Sequence, residues 1–174
     1  MPQLTIRRID DRDSIEELTG LLHRSFARLG AMGLNYTAVD QSVDETRRRV
    51  ARGECYVAEL GSQLAGTVVV EHPWQESPCE WFTNPSLGSA HQLAVDPALQ
   101  GQGIGSHLMD FAEHWAAEKG YHGICIDTAE PATHLVQYYL ARGYLHVGYV
   151  QWDGKRYRSV VMRKLFSDDL RTGA

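Results

Sequence analysis

Gln100-Gly101-Gln102-Gly103-Ile104-Gly105-Ser106, preceded by Leu93-Ala94-Val95-Asp96-Pro97, decides how this chain folds. His91-Gln92-Leu93-Ala94-Val95 predicts a strand, which Asp96-Pro97 ends. Ile104, Leu108, Phe111, Trp115 and Ala116 then recur at helical spacing as far as Lys119-Gly120, so the glycines form a turn from strand to helix. Alternate glycines remove the Cβ atoms that would hold a ligand away from the main chain. The first amides of a helix have no intrahelical acceptor and lie at the positive end of its dipole. Such a turn suits a phosphate or a pyrophosphate. The two common nucleotide motifs do not fit it. The P-loop needs Gly-Lys followed by Ser or Thr, and this turn has no lysine. The dinucleotide fingerprint is spaced G-x-G-x-x-G after the first strand of a βαβ unit. Here the spacing is G-x-G-x-G, earlier strands have already passed, and a proline separates strand from turn.

Working outward, Leu4 to Ile9 reads as an opening strand, and Asp13 or Ser14 caps a helix with Ile15, Leu18, Leu22, Phe26 and Leu29 on one stripe. A break from Gly30 to Asn35 precedes a charged helix over Asp44 to Ala51. Cys55 to Leu60, Gly61-Ser62 and Leu64 to Val70 predict a β-hairpin. The connection from His72 to Leu87 carries Trp74, Trp81 and Phe82, and exceeds the ~12–15 residues usual for a structureless loop. It reads either as a covered surface loop or as a lid that sets specificity. Beyond the central helix, Gly123 to Ile126 is a short apolar run typical of a strand buried on both faces. Pro131 opens a helix carrying Leu135, Val136, Tyr139 and Leu140, and Leu145 to Met162 closes the chain as a hairpin around Asp153-Gly154. The order β-α-α-β-β-β-α-β-α-β-β predicts a single α/β domain over residues 1–166 with a mixed sheet, and residues 167–174 form a C-terminal tail.

The composition narrows the partners. The formal charge of −5 argues against nucleic acid, and Arg47-Arg48-Arg49 reads as a solvated helix face. No apolar run approaches the ~18 residues of a membrane span, and the first residues lack the apolar stretch of a signal peptide. Cys55, Cys79 and Cys125 are widely spaced without a CxxC, which fits reduced thiols in a cytoplasmic protein. His107 and His114 share a helix face, but no further ligand completes a site, so no metal is expected.

Gln100, Gly103 and Gly105, following Leu93-Ala94-Val95-Asp96-Pro97, resemble the central motif of the GNAT superfamily of acyl-CoA-dependent N-acetyltransferases: Arg or Gln, two residues, Gly, one residue, then Gly or Ala. Leu135-Val136-Gln137-Tyr138-Tyr139-Leu140-Ala141-Arg142-Gly143-Tyr144 resembles the family's second motif, with a tyrosine four residues before Gly-aromatic. The resemblance implies a twisted, mostly antiparallel sheet of about seven strands, splayed between the fourth and fifth and flanked by about four helices. It implies acetyl-CoA as cosubstrate, its pyrophosphate on Gln100, Gly101, Gln102, Gly103, Ile104, Gly105 and Ser106 and its pantetheine beside Leu93, Ala94 and Val95. A backbone amide near Leu93 and Ala94 would polarise the thioester carbonyl. Tyr139 takes the place of the general acid that protonates the departing thiolate. The family often carries Asn seven residues before that tyrosine, and here the position is Ala132.

The general base is open. No acid lies between Ser89 and Val95, and Asp127, Thr128 and Glu130 follow the fifth strand at its carboxyl edge; His91 or Glu71 is the expected base, with a water-relayed base, or none, as the alternatives. For the acceptor, Tyr36, Glu71, Trp74, Trp81, Asp127 and Glu130 are the candidate contacts, with Asp40, Glu76, Glu80, Phe82 and Trp152 in the same regions. Aromatic walls with carboxylates suit a cationic amine, whether a small molecule or a peptide. The expected activity is acetyl transfer to a primary amine by direct attack in a ternary complex. The alternative is a non-catalytic acyl-CoA-binding sensor or regulatory module. Exposed sheet edges leave room for a homodimer.

Overall fold

The computed structural model describes residues 2–168, so the expected tail lies outside the described residues from position 169 onward. Seven strands follow the order β1-β2-β3-β4-β5-β7-β6 in one mixed sheet. By compactness the chain divides into a unit running to Val70 with Gln92–Ala112, and a unit of Glu71–His91 with the chain from Glu113 onward.

In the first unit, β1 (Leu4–Arg8) lies antiparallel to β2 (Glu54–Leu60), which forms the predicted hairpin with β3 (Gln63–Glu71). Of the two candidate caps, Ser14 is the one used: its side chain accepts from the Glu17 amide and starts α1 (Ile15–Ala31). A four-residue helix α2 (Thr37–Asp40) occupies the segment after the break. Ser42 caps α3 (Val43–Arg52) in the same way as Ser14 caps α1, with Asp44 and Glu45 in the first turn and Arg49 and Arg52 in the last, as the helix dipole favours. The apolar stripe of α1 buries Leu18, Leu21 and Leu22 against Cys55, Val69 and Ala94. Gly66 permits a close approach: a Cβ there would lie 2.7 Å from the Ala94 carbonyl oxygen and 2.9 Å from Leu108 Cδ1.

The second unit begins with the last residue of β3 and the long connection, which contains a short helix α4 (Glu80–Thr83). The connection is tied at its neck, because the Trp74 amide donates to the Phe82 carbonyl. Strand β4 (Leu87–Val95) starts four residues earlier than the apolar run suggests, and its first part pairs in parallel with β5 (Gly123–Ala129). Small residues lead it in for a steric reason, since a Cβ on Gly88 would meet Ala116, Trp115 and Tyr121 at 3.2 Å. α5 (Ile104–Glu118) and α6 (Thr133–Ala141) complete the helices, and β6 (Leu145–Val150) pairs antiparallel with β7 (Ser159–Leu165), which lies beside β5. Asp127 and Thr128, read from sequence as following the fifth strand, lie inside it opposite Val161 and Val160. Burial of Cys125, Val161, Val150, Phe82 and Cys79 forms this unit's core.

Candidate active site

The glycine turn belongs to the first unit. Asp96 ends β4 and accepts from the Ala98 amide at 2.9 Å and from Arg24 Nη2 at 2.9 Å, which fixes the chain where it leaves the strand. Those two donors, the amide first, hold its carboxyl below the usual range. Gln100 returns its side-chain amide to the Val95 carbonyl at 3.3 Å. Gly101 and Gly103 have φ of 79° and 80°, a region that side chains other than glycine resist. A Cβ on Gly101 would find no atom within 4 Å, so the outer face of the turn is open. Gly101, Gln102 and Gly103 are exposed, Ile104 is buried as an anchor, and Gly105 and Ser106 are half-buried. The Gly103 carbonyl accepts from the His107 amide at 3.0 Å and lies 2.9 Å from its Nδ1, which therefore carries a proton. An open cradle at the start of a 15-residue helix fits the diphosphate expected there.

Within β4, Leu93 and Val95 are half-buried and Ala94 is buried. The parallel ladder with β5 runs Leu87↔Gly123, Gly88↔Ile124 and Ser89↔Cys125, and from Ala90 onward no β5 partner occurs among the described residues. The part of β4 paired with β5 therefore ends at Ser89, within the second unit. Gln92 has φ of 52°, a left-handed conformation in the middle of a strand that nothing in its side chain announces.

The second unit brings the two base candidates together. Glu71, 8% exposed at the end of β3, places Oε2 3.8 Å from His91 Nε2. That separation is too long for a hydrogen bond and close enough for a carboxylate to stabilise an imidazolium. The same nitrogen lies 2.8 Å from Ser89 Oγ, a partner two residues away on the strand that sequence reasoning missed. Phe82 covers the group, its ring centroid 5.3 Å from His91 and 5.9 Å from Trp152, and the Trp152 indole N–H donates to Asp127 Oδ2 at 2.8 Å. Glu71, Ser89 and Phe82 thus meet one imidazole, and Phe82 also stacks on the Trp152 ring that Asp127 holds.

Tyr36 precedes α2 and packs on Phe26. Trp74 is exposed, whereas Trp81 packs on the second unit's core with Arg163 over its ring at 5.4 Å. Glu130 forms an ion pair with Arg158 at 2.9 Å, and that guanidinium lowers its carboxyl's affinity for a proton. Tyr139 is buried on α6, with the Tyr138 and Tyr144 rings 5.2 and 5.5 Å away. Tyr144, just past the positive-φ Gly143, donates to Glu113 Oε1 at 3.0 Å. Glu113 also meets Arg142 at 3.0 Å and Lys164 at 2.7 Å, so the second motif is pinned to α5 by a buried carboxylate. The helical stripe of α5 gave no sign of this, because Glu113 sits among apolar positions.

The model of the Acetyltransferase (GNAT) family matches residues 18–144, from within α1 to the tyrosine that closes the second motif. This chain belongs to that family. Solved structures agree on the fold. A protein from Pyrococcus horikoshii OT3 superposes with a TM-score of 0.74 at 19% identity, over 95% of this chain and 99% of its own. A Bacillus subtilis acetyltransferase in complex with CoA gives 0.68 at 22%, covering 95% and 100%. A GNAT family acetyltransferase from Elizabethkingia anophelis with acetyl-CoA bound gives 0.66 at 18%, covering 94% and 98%. No curated protein matches this chain by sequence comparison. Among the described residues no helix is long and apolar enough to cross a membrane. No group of three or more His, Cys, Asp or Glu side chains is arranged for a metal ion there either.

Proposed function

We propose that this GNAT acetyltransferase moves an acetyl group from acetyl-CoA to a primary amine by direct attack in a ternary complex. The observation that carries the reading is the Glu71–His91 pair, 3.8 Å apart, with Phe82 packed on the imidazole. An ammonium acceptor must lose a proton before its lone pair can attack. His91 takes that proton, directly or through water, and Glu71 stabilises the resulting imidazolium. The amine nitrogen bonds to the thioester carbon as the carbonyl becomes an oxyanion, which a backbone amide of Leu93 or Ala94 stabilises. Collapse breaks the C–S bond, Tyr139 supplies the proton to the departing thiolate, and the second proton shed by the acylated nitrogen returns to the tyrosinate through water. Gln100 to Ser106 hold the diphosphate, and Leu93 to Val95 lie along the pantetheine. The Phe82–Trp152 stack with Asp127 and Glu71 suits a cationic amine. A covalent acyl-cysteine is disfavoured, since burial pushes the Cys55 thiol up to about 11 and raises Cys79 and Cys125 as well.

An acetyl-transfer screen over a panel of amines, read by release of free thiol, tests the reading. Tyr139→Phe and His91→Ala are each expected to slow turnover about 100-fold or more while acetyl-CoA still raises the melting temperature and NAD does not. Thermal stabilisation by acetyl-CoA with no transfer to any amine would mark a sensor instead.

A further inference from the structure

The left-handed residue in β4 is held by a chain of buried amides and hydroxyls that the family motifs do not contain. Gln92, 8% exposed, accepts at Oε1 from Gln41 Nε2 at 3.1 Å. Gln41 is itself 5% exposed, and its amide orientation is fixed by chemistry. Arg49 Nη1 lies 2.9 Å from its Oε1, and a guanidinium can only donate, so the NH₂ must face the other way. There it reaches Thr46 Oγ1 at 2.7 Å as well as Gln92. Thr46, fully buried, lies 2.7 Å from Thr19 Oγ1 on α1. The main chain of Gln41 is fixed too: its amide donates to the Thr37 carbonyl at 3.0 Å, and its carbonyl lies 2.8 Å from His23 Nε2. Groups from α3 thus orient one glutamine side chain, α1 and α2 fix its main chain, and that side chain grips the strained residue.

We propose that Gln41 is a positioning residue for acyl transfer, clamping Gln92 in its left-handed conformation so that the main-chain groups of Leu93 and Ala94 meet the acetyl thioester. Glutamine has no intrinsic preference for φ of 52°, and a strained φ in a non-glycine residue persists only where the surroundings over-determine it. Released, Gln92 returns to the β region and the amides after it rotate. The residue lies immediately before Leu93, where the strand's polar groups are assigned to the cosubstrate rather than to β5. The inference rests on the acetyl-CoA reading above.

The test needs no acceptor. Acetyl-CoA labelled with carbon-13 at the carbonyl reports polarisation through its infrared stretch when bound. The wild type is expected to shift that stretch to lower frequency than in free acetyl-CoA. In Gln41→Leu most of the shift disappears, acetyl-CoA affinity changes by less than about threefold, and transfer to any amine found slows about 10- to 100-fold. Gln92→Asn tolerates the left-handed region and keeps the shift, whereas Gln92→Leu loses it. This second pair decides the matter should Gln41→Leu fail to fold. An unchanged shift in both leucine variants with acetyl-CoA bound overturns the clamp and leaves the transferase reading intact. Failure of the wild type to bind acetyl-CoA overturns both.

Discussion

Replacing Glu113 with glutamine removes a negative charge that three groups share. Its carboxylate meets Lys164 Nζ at 2.7 Å, Arg142 Nη2 at 3.0 Å and the Tyr144 hydroxyl at 3.0 Å. The side chain of Glu113 is 7% exposed, that of Arg142 14% and that of Lys164 26%. Removing one partner of a buried ion pair costs about 3–5 kcal/mol, because the surviving charge loses its counter-ion without regaining water. The lower end applies here, since Lys164 reaches solvent in part and glutamine keeps an acceptor oxygen. At ~2–4 °C per kcal/mol for a chain of this size, a loss of about 3 kcal/mol lowers the melting temperature by ~6–12 °C. Differential scanning fluorimetry of Glu113→Gln beside the wild type reads this directly. The pair Glu113→Gln with Lys164→Met should recover part of the loss, because one orphaned charge is gone. A fall smaller than about 2 °C in the single variant would refute the reasoning, since it would mean that the cationic ends find water with little structural change.

Gly101→Val tests the turn. The open space around Gly101 means no clash, so folding loses only the ~1–2 kcal/mol of a left-handed branched residue, whereas acetyl-CoA binding by calorimetry should weaken sharply. The Asp96 carboxyl, held below its usual range by the Ala98 amide and Arg24, contributes stability that is present above its unfolded pKa of ~3.9 and lost as pH falls through the folded value. Melting curves of wild type and Asp96→Asn should therefore differ at pH 7 and converge in strong acid. Cys55, Cys79 and Cys125 are buried with raised thiol pKa values, so a disulfide reagent at pH 8 should react slowly with the native protein and rapidly with all of them after unfolding.

Local requirements were legible in the sequence, and assembled ones were not. The β2–β3 hairpin was marked by Gly61-Ser62 between apolar runs, and the α1 start by Asp13 or Ser14 before its stripe, because each feature needs only a few neighbouring residues. The start of β4 was missed, since Leu87-Gly88-Ser89-Ala90 has the composition of a loop. Its glycine answers instead to Trp115, Ala116 and Tyr121, which lie far along the chain. Glu71 and His91 could each be named as a base from sequence, yet the pair they form depends on which residues β3 and β4 bring face to face, a matter of register rather than of composition.

Gly101 and Gln92 show the same division at the level of a single torsion. Both have positive φ, 79° and 52°. At Gly101 the requirement is met by the residue itself, so it can be read from one letter, and the turn it builds is open to a ligand. At Gln92 the requirement is met by neighbours: the Gln41 amide, held by Thr46 and Arg49 on α3, stabilises a conformation that glutamine does not choose. A glycine at 92 would have been simpler to fold around but would leave β4 free to exchange between left-handed and extended forms. The clamp costs buried polar groups and returns one fixed direction for the amides that follow. That exchange of ease for rigidity makes sense at a place where a carbonyl has to be met at a set angle.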